Sequence, residues 1–215
     1  MEQAQLIVVR HGETEWNLEG RRQGHLDSPL TAKGIAQSEA LAQRLANYSF
    51  SSLYSSDLGR AYQTAKLISD TTGHTILVDQ RLRERNLGIF QGLKGDEIHK
   101  AYPEELLLHK TGGPDYIIPQ GESARQQAQR NISCLEEFAL KHTGEIIVIV
   151  THGGLLNALF RHILSIPLEA PRRFEFMNAS INIFSCGKGN WMLQTWGDIS
   201  HLQPGETLGE SDFYV

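Results

Sequence analysis

Two short stretches of this 215-residue chain end a run of aliphatic residues in a histidine. Leu6 to Val9 leads into Arg10-His11-Gly12, and Ile146 to Val150 leads into Thr151-His152-Gly153-Gly154. Arg60 and Glu84 follow two further short stretches, Ser52 to Ser55 and Ile76 to Val78. These five side chains suit one kind of chemistry. A neutral imidazole is a nucleophile, because a pKa of about 6.5 leaves much of it unprotonated at cellular pH. A protonated imidazole and two guanidiniums hold an oxyanion, and arginine grips phosphate oxygens in bidentate fashion. A carboxyl group can give a proton to a departing oxygen. Phosphate, with about −1.5 to −2 charges at neutral pH, fits the set. Singly, each residue has a plainer reading: a histidine after a strand is usually a turn residue, and an arginine on a helix is usually solvated. His11, His152 and a third histidine could also hold zinc, but no metal-ligand spacing such as His-Glu-x-x-His is present. The other seven histidines (His25, His74, His99, His109, His142, His162 and His201) are taken as surface or core residues, and the arginines of Arg81 to Asn86 mostly as an exposed loop.

The elements that must position these groups alternate. Leu6 to Val9 reads as a strand buried on both faces. Thr31 caps a helix to about Asn47. A strand is expected at Ser52 to Ser55, then a helix capped by Ser56 or Asp57 and stopped by Gly73. Ile76 to Val78 is a third strand. Ser123 caps a helix to about His142, Ile146 to Val150 is the clearest strand, and a helix runs from about Leu155 to Leu164. Asn182 to Ser185 and Trp191 to Trp196 suit a hairpin. Alternation of this kind implies an α/β fold with a mostly parallel sheet covered on both faces. The section from about residue 86 to 120 breaks the alternation and reads as an insertion with two short helices over one end of the sheet. In such sheets ligands bind beyond the carboxyl ends of the strands, and Arg10, His11, Arg60, Glu84 and His152 all fall on that edge. Arg60 in the first turn of a helix is awkward for a cation, since the helix N-terminus is already partly positive, so it asks for an anion.

Composition narrows the field. The length suits one domain with an insertion. The net charge of −5 argues against a general nucleic-acid or membrane binder, which would present a basic field. Cys134 and Cys186 match no metal spacing and are expected to be reduced, partly buried thiols. Leu6 to Val9 is too short for a secretory signal or a membrane span, so a cytoplasmic protein is expected. Oligomeric state has no signature in the sequence.

Arg10 to Asn17, RHGETEWN, resembles the signature of the histidine phosphatase superfamily, which includes the cofactor-dependent phosphoglycerate mutases. The resemblance extends in order through DSPLTAKG (Asp27 to Gly34), SSDLGRAYQTA (Ser55 to Ala65), LRERNLGIFQG (Leu82 to Gly92), PQGES (Pro119 to Ser123), VTHGG (Val150 to Gly154) and GDISHL (Gly197 to Leu202). It implies a three-layer α/β/α sandwich, phosphoglycerate mutase-like, with one antiparallel strand. It implies that His11 is the nucleophile and becomes phosphorylated. Arg10, Arg60 and His152 would form the phosphate pocket with help from Asn17, and Glu84 would be the proton donor. Gln23, Gly24 and Gly153 match positions near the substrate. The resemblance implies no metal and no cofactor, and a small phosphorylated metabolite as the partner.

Within that resemblance three functions compete: a phosphatase, a mutase and a non-catalytic phospho-ligand binder. A binder would not need a proton donor. Mutases carry a tyrosine three residues beyond the glutamate, where this chain has Leu87, and a pair of arginines in the segment before the GES turn. Here Leu93 to Gln120 contains no arginine, and Arg172-Arg173 lies elsewhere. The 36 residues from Arg85 to Gln120 look like the shorter lid of the phosphatases. Hydrolysis is therefore the expected activity. The lid mixes apolar residues (Phe90, Tyr102, Leu106 to Leu108, Tyr116 to Ile118) with Lys94, Lys100 and Lys110, which are taken as solvated. The acidic, aromatic tail from Gly209 to Val215 is left without a role.

Overall fold

The computed structural model describes residues 3–202. The tail expectation, Gly209 to Val215, lies outside the described residues. Six strands form one sheet in the order β3-β2-β4-β1-β5-β6. They are β1 (Ala4–Arg10), β2 (Ser52–Ser55), β3 (Ile76–Val78), β4 (Ile146–Thr151), β5 (Ile181–Gly187) and β6 (Asn190–Asp198). The first four strands are mutually parallel, and β5 runs against both β1 and β6. Seven helices are present among the described residues: α1 (Glu15–Glu19), α2 (Ala32–Leu45), α3 (Gly59–Thr72), α4 (Gly95–Ala101), α5 (Pro103–Thr111), α6 (Ala124–Lys141) and α7 (Gly153–Ile163). None is long and apolar enough to cross a membrane.

The sheet is covered on both faces, and the strand period of two explains how. Leu6 and Val8 of β1, with Ile147 and Ile149 of β4, pack under Leu135 and Phe138 of α6 and Leu155, Leu156 and Leu159 of α7. Ile7 and Val9, with Val148 and Val150, pack under Leu41 and Leu45 of α2 and Ala61, Ala65 and Ile68 of α3. Continuous aliphatic runs are what a strand buried on both faces requires. The result is the expected three-layer α/β/α sandwich.

Most elements lie where the sequence puts them, and three differ. Helix α7 begins at Gly153, two residues before the expected Leu155, so His152 is its N-cap. Helix α1 was not anticipated; it is a five-residue turn capped reciprocally by Thr14 and Asn17, inside the RHGETEWN stretch. Helix α3 is capped by neither Ser56 nor Asp57. Its N-cap is Leu58, without a side-chain cap, and Asp27 from a distant loop accepts from Gly59 N (2.6 Å) and Arg60 N (3.3 Å) instead. Ser56 and Asp57 are engaged elsewhere, with His152 and Arg83.

The insertion has a small core of its own. Leu87, Phe90, Ile98 and Ile118 are buried, with Tyr102, Leu106 and Tyr116 against them. Its two helices, α4 and α5, match the two expected pieces. Its ends are tied down: Gly92 N donates to Arg22 O at 2.7 Å, Arg22 N to Leu93 O at 2.9 Å, and Glu122 N to Asn86 O at 3.0 Å. Leu107, Leu108 and Ile117 point outward, as do Lys100 and Lys110. Cys134 and Cys186 are both free and buried. Burial pushes the Cys134 thiol up to about 12.

The loop after β1 is pressed against α2 at Gly34, where a Cβ would run into the Glu13 carbonyl. Gly34→Ala is expected to lower the unfolding free energy by about 1–3 kcal/mol, the usual cost of overpacking. Gly95→Ala, whose added methyl meets nothing within 4 Å, should leave it unchanged or slightly higher. Urea unfolding of both variants beside the parent protein checks this.

Candidate active site

Strand register brings the two histidines together. Arg10 of β1 pairs with Thr151 of β4 across the parallel ladder, and the next residue of each strand is a histidine. The ring centroids of His11 and His152 are 5.2 Å apart. Ser55 of β2 pairs with Val150, which sets Ser56 beside His152; Ser56 Oγ and His152 Nε2 are 2.8 Å apart.

The protonation of His11 follows from its partners. Nδ1 lies 2.7 Å from Gly12 O. A carbonyl only accepts, so Nδ1 carries the proton and Nε2 keeps its lone pair. Arg60 Nε donates towards that lone pair at 3.3 Å. Burial, then the Arg60 and Arg10 charges, push the His11 pKa well below its ordinary value, against the Gly12 hydrogen bond. His11 is thus held neutral, as a nucleophile must be.

His152 departs from expectation. It was anticipated as a cation, yet burial, followed by the charges of Arg60, His11 and Arg10, holds it well below its ordinary pKa. Ser56 Oγ also accepts from Leu58 N at 3.3 Å. Nδ1 of His152 is a buried atom without a hydrogen-bond partner among the described residues. A dianion beside the ring would favour a second proton.

Two buried guanidiniums complete the positive side. Arg10 and Arg60 are each 1% exposed. Arg10 Nη1 donates to Phe176 O at 2.8 Å. Arg60 donates through Nη1 to Leu26 O (2.9 Å) and Asp27 Oδ1 (2.7 Å), and through Nη2 to Gly24 O (2.9 Å). Glu84 faces the same cavity. Its Oε1 accepts from Arg85 N (2.7 Å) and Gln127 Nε2 (3.1 Å), and its Oε2 from Gly154 N (2.9 Å). The cavity is lined by Arg10, His11, Asn17, Gln23, Gly24, Arg60 and Glu84, and also by Trp16, Arg21, Arg22 and Leu87. Among the described residues no three His, Cys, Asp or Glu side chains gather as a metal-ligating group.

A family profile described as "Histidine phosphatase superfamily (branch 1)" matches residues 6–199. The chain belongs to the histidine phosphatase superfamily. It is 41% identical over 205 residues to phosphoglycerate mutase-like protein 4 of Arabidopsis thaliana, covering 93% of this chain and 87% of that one. It is 38% identical over 204 residues to the metal-independent phosphoserine phosphatase of the same plant, covering 94% and 84%. Among solved structures, YhfR of Bacillus stearothermophilus superposes with a TM-score of 0.83 at 34% identity, over 92% of this chain and 98% of that one. The fold is therefore phosphoglycerate mutase-like, and the protein is an enzyme of the histidine phosphatase kind.

Nine residues of this histidine phosphatase were singled out from sequence, and the structure gathers seven around one cavity. His152 is not among the lining residues, and its ring centroid lies 5.2 Å from that of His11. Gly153 does not line the cavity; a Cβ there would come within 2.7 Å of the Phe176 ring, so the residue admits that ring against the start of α7. Asn17 has a second task, since its Oδ1 accepts from Thr14 N at 3.1 Å and closes the cap of α1. Sequence reasoning passed over Asp27, Ser56, Gln127 and Gly154, which act on the site through other residues. It also misjudged the Arg81 to Asn86 stretch. Arg83 pairs with Asp57, Arg81 with Asp79 and Glu137, and Arg85 is buried. His25, taken as an ordinary histidine, places Nε2 2.9 Å from Glu84 O.

Both site histidines titrate near 6.5 when unfolded and well below it when folded. Between those values the unfolded chain binds more protons, so stability is lost as pH falls. Unfolding free energy should therefore decline from about pH 7 to pH 5. The decline should be shallower in both His11→Asn and His152→Asn, measured by denaturant titration at each pH. An unchanged slope in both variants would mean that neither ring is held neutral.

Proposed function

We propose that this enzyme is a metal-independent phosphatase that hydrolyses small-molecule phosphomonoesters through a phosphohistidine on His11. The observation that carries the reading is the state of His11. Its proton is committed to the Gly12 carbonyl, and its Nε2 lone pair meets the Arg60 guanidinium in a cavity that Glu84 also lines.

The reaction follows in two displacements. The phosphate dianion of the substrate draws Arg60, Arg10 and His152 Nδ1–H onto its oxygens, and Arg60 Nε–H turns from the imidazole to the phosphate. His11 Nε2 attacks phosphorus in line with the ester oxygen, the P–O bond breaks, and Glu84 in its acid form protonates the departing alcohol. Water then attacks phosphohistidine with Glu84, now a carboxylate, as base, and phosphate leaves. Fixed positive charge placed before the reaction begins needs no reorganisation at the moment of transfer, which makes such sites effective for phosphoryl chemistry.

Hydrolysis rather than transfer to a second hydroxyl is favoured by the lid. Residues 86–120 act as a cover on a single domain. Leu87 takes the lining position where the mutases of the family carry tyrosine, and no arginine in Leu93 to Gln120 is available to hold a substrate carboxylate. The names of similar proteins include both a phosphoserine phosphatase and a mutase-like protein, so the lid is the feature that separates the two readings. Buried free thiols and a net charge of −5 suit a cytoplasmic enzyme acting on metabolites.

Rapid quenching during turnover should trap an acid-labile, base-stable phosphoryl group on His11. His11→Ala should lower kcat/KM by about 10⁴-fold or more, as loss of a covalent nucleophile does. Activity should be insensitive to EDTA. With 3-phosphoglycerate, inorganic phosphate should be the product; interconversion of 2- and 3-phosphoglycerate without phosphate release would overturn the assignment.

A further inference from the structure

Glu84 sits on a stretch of chain without regular structure, between the helical turn Gln80–Leu82 and the turn Gly88–Phe90. No helix or sheet ladder satisfies its carbonyls, so other groups must. One side chain takes two of them and a third in the turn before. Arg130 of α6 donates through Nη1 to Arg81 O (2.9 Å) and Arg83 O (3.0 Å), and through Nη2 to Glu84 O (3.3 Å). The same Nη2 donates to Glu122 Oε1 at 2.6 Å. That carboxylate oxygen also accepts from Asn86 N at 2.8 Å. Arg130 and Glu122 thus grip the carbonyls of residues 81, 83 and 84 and the amide of Asn86. Neither lines the cavity. His25 Nε2 adds a donor to Glu84 O, and Asn131 Nδ2 bonds Arg81 O at 2.7 Å.

We propose that Arg130, braced by Glu122, is a positioning residue that fixes the carboxyl of Glu84 against the leaving oxygen. The inference rests on the reading of Glu84 as the proton donor and goes beyond it. The guanidinium is suited to the task because its planar fork presents several donors in fixed directions, which the single ammonium of lysine cannot copy. The segment it holds brings the carboxyl of Glu84 into the cavity lining, and a misplacement of about 1 Å can cost on the order of 10²-fold in rate.

Leaving-group dependence separates this role from general structural support. An alkyl phosphate needs its departing oxygen protonated, whereas an aryl phosphate such as p-nitrophenyl phosphate releases a phenolate that does not. kcat/KM includes only the steps through departure of the alcohol, so it is independent of how fast phosphohistidine is hydrolysed. Glu84→Gln is the reference: it should lower kcat/KM for an alkyl phosphate by about 10²-fold or more, the usual worth of a general acid, and spare the aryl substrate. Arg130→Ala should show the same signature at about 10-fold or more, with aryl kcat/KM within about threefold of the parent. Arg130→Lys and Glu122→Gln should fall between, and they carry the test if Arg130→Ala does not fold. Equal losses on both substrates, or no loss on either, across the folded Arg130 and Glu122 variants overturn the proposal while Glu84→Gln discriminates. If Glu84→Gln itself fails to discriminate, the proton-donor reading falls, and this inference with it.

Discussion

Two guanidiniums are buried side by side with two imidazoles, and the rest of the site is arranged around that fact. Arg10 and Arg60 are almost fully excluded from water, and burying a charge is costly unless it is paired and hydrogen-bonded. Arg60 is the harder case, because it sits at the start of α3, where the helix already presents partial positive charge. Asp27 resolves the conflict. One carboxylate caps the two leading amides of α3 and pairs with the Arg60 side chain. The carbonyls of Gly24 and Leu26 take the remaining donors named above. Burial first, and then the local excess of positive charge, keeps both histidines neutral, and a dianion is the natural complement of the cavity.

This arrangement accounts for the division of labour between the imidazoles. Each follows a parallel strand at the same level of the sheet, yet their protons are set by different neighbours. His11 gives its Nδ1 proton to the carbonyl of the next residue, which frees Nε2. His152 is engaged by Ser56 at Nε2, which leaves Nδ1 without a hydrogen-bond partner among the described residues. The two rings are chemically alike, and their different neighbours suit them to the separate roles of nucleophile and donor in the proposed mechanism. Proton transfer to the leaving group is assigned to a third element, whose backbone is held from α6 and the GES turn.

How much of this was legible in the sequence depended on distance along the chain. Strands buried on both faces announce themselves as aliphatic runs, and Thr31 and Ser123 cap the helices that directly follow them. Those signals are local. The edge on which Arg10, His11, Arg60, Glu84 and His152 meet followed from strand direction alone. What stayed hidden was set by partners far away in sequence. Ser56 and Asp57 have the chemistry of helix caps, but His152 and Arg83 engage them, and the cap of α3 comes from Asp27. Helix α1 was too short to show a period. Arg130 has no local signal, because its partners are the carbonyls of residues 81, 83 and 84. The protonation of His152 could not be read from residue type, because burial decides it.

The central claim is that the fold presents one tetrahedral anion site with His11 Nε2 as its apical ligand. Orthovanadate adopts the trigonal bipyramid of in-line phosphoryl transfer, and transition-state analogues bind far more tightly than substrates. A crystal structure of the vanadate complex is the most direct measurement. The account predicts vanadium bonded to His11 Nε2, equatorial oxygens on Arg10, Arg60 and His152, and the far apical oxygen within hydrogen-bond reach of Glu84. Vanadate bound away from His11, or with its apical oxygen out of reach of Glu84, would contradict it.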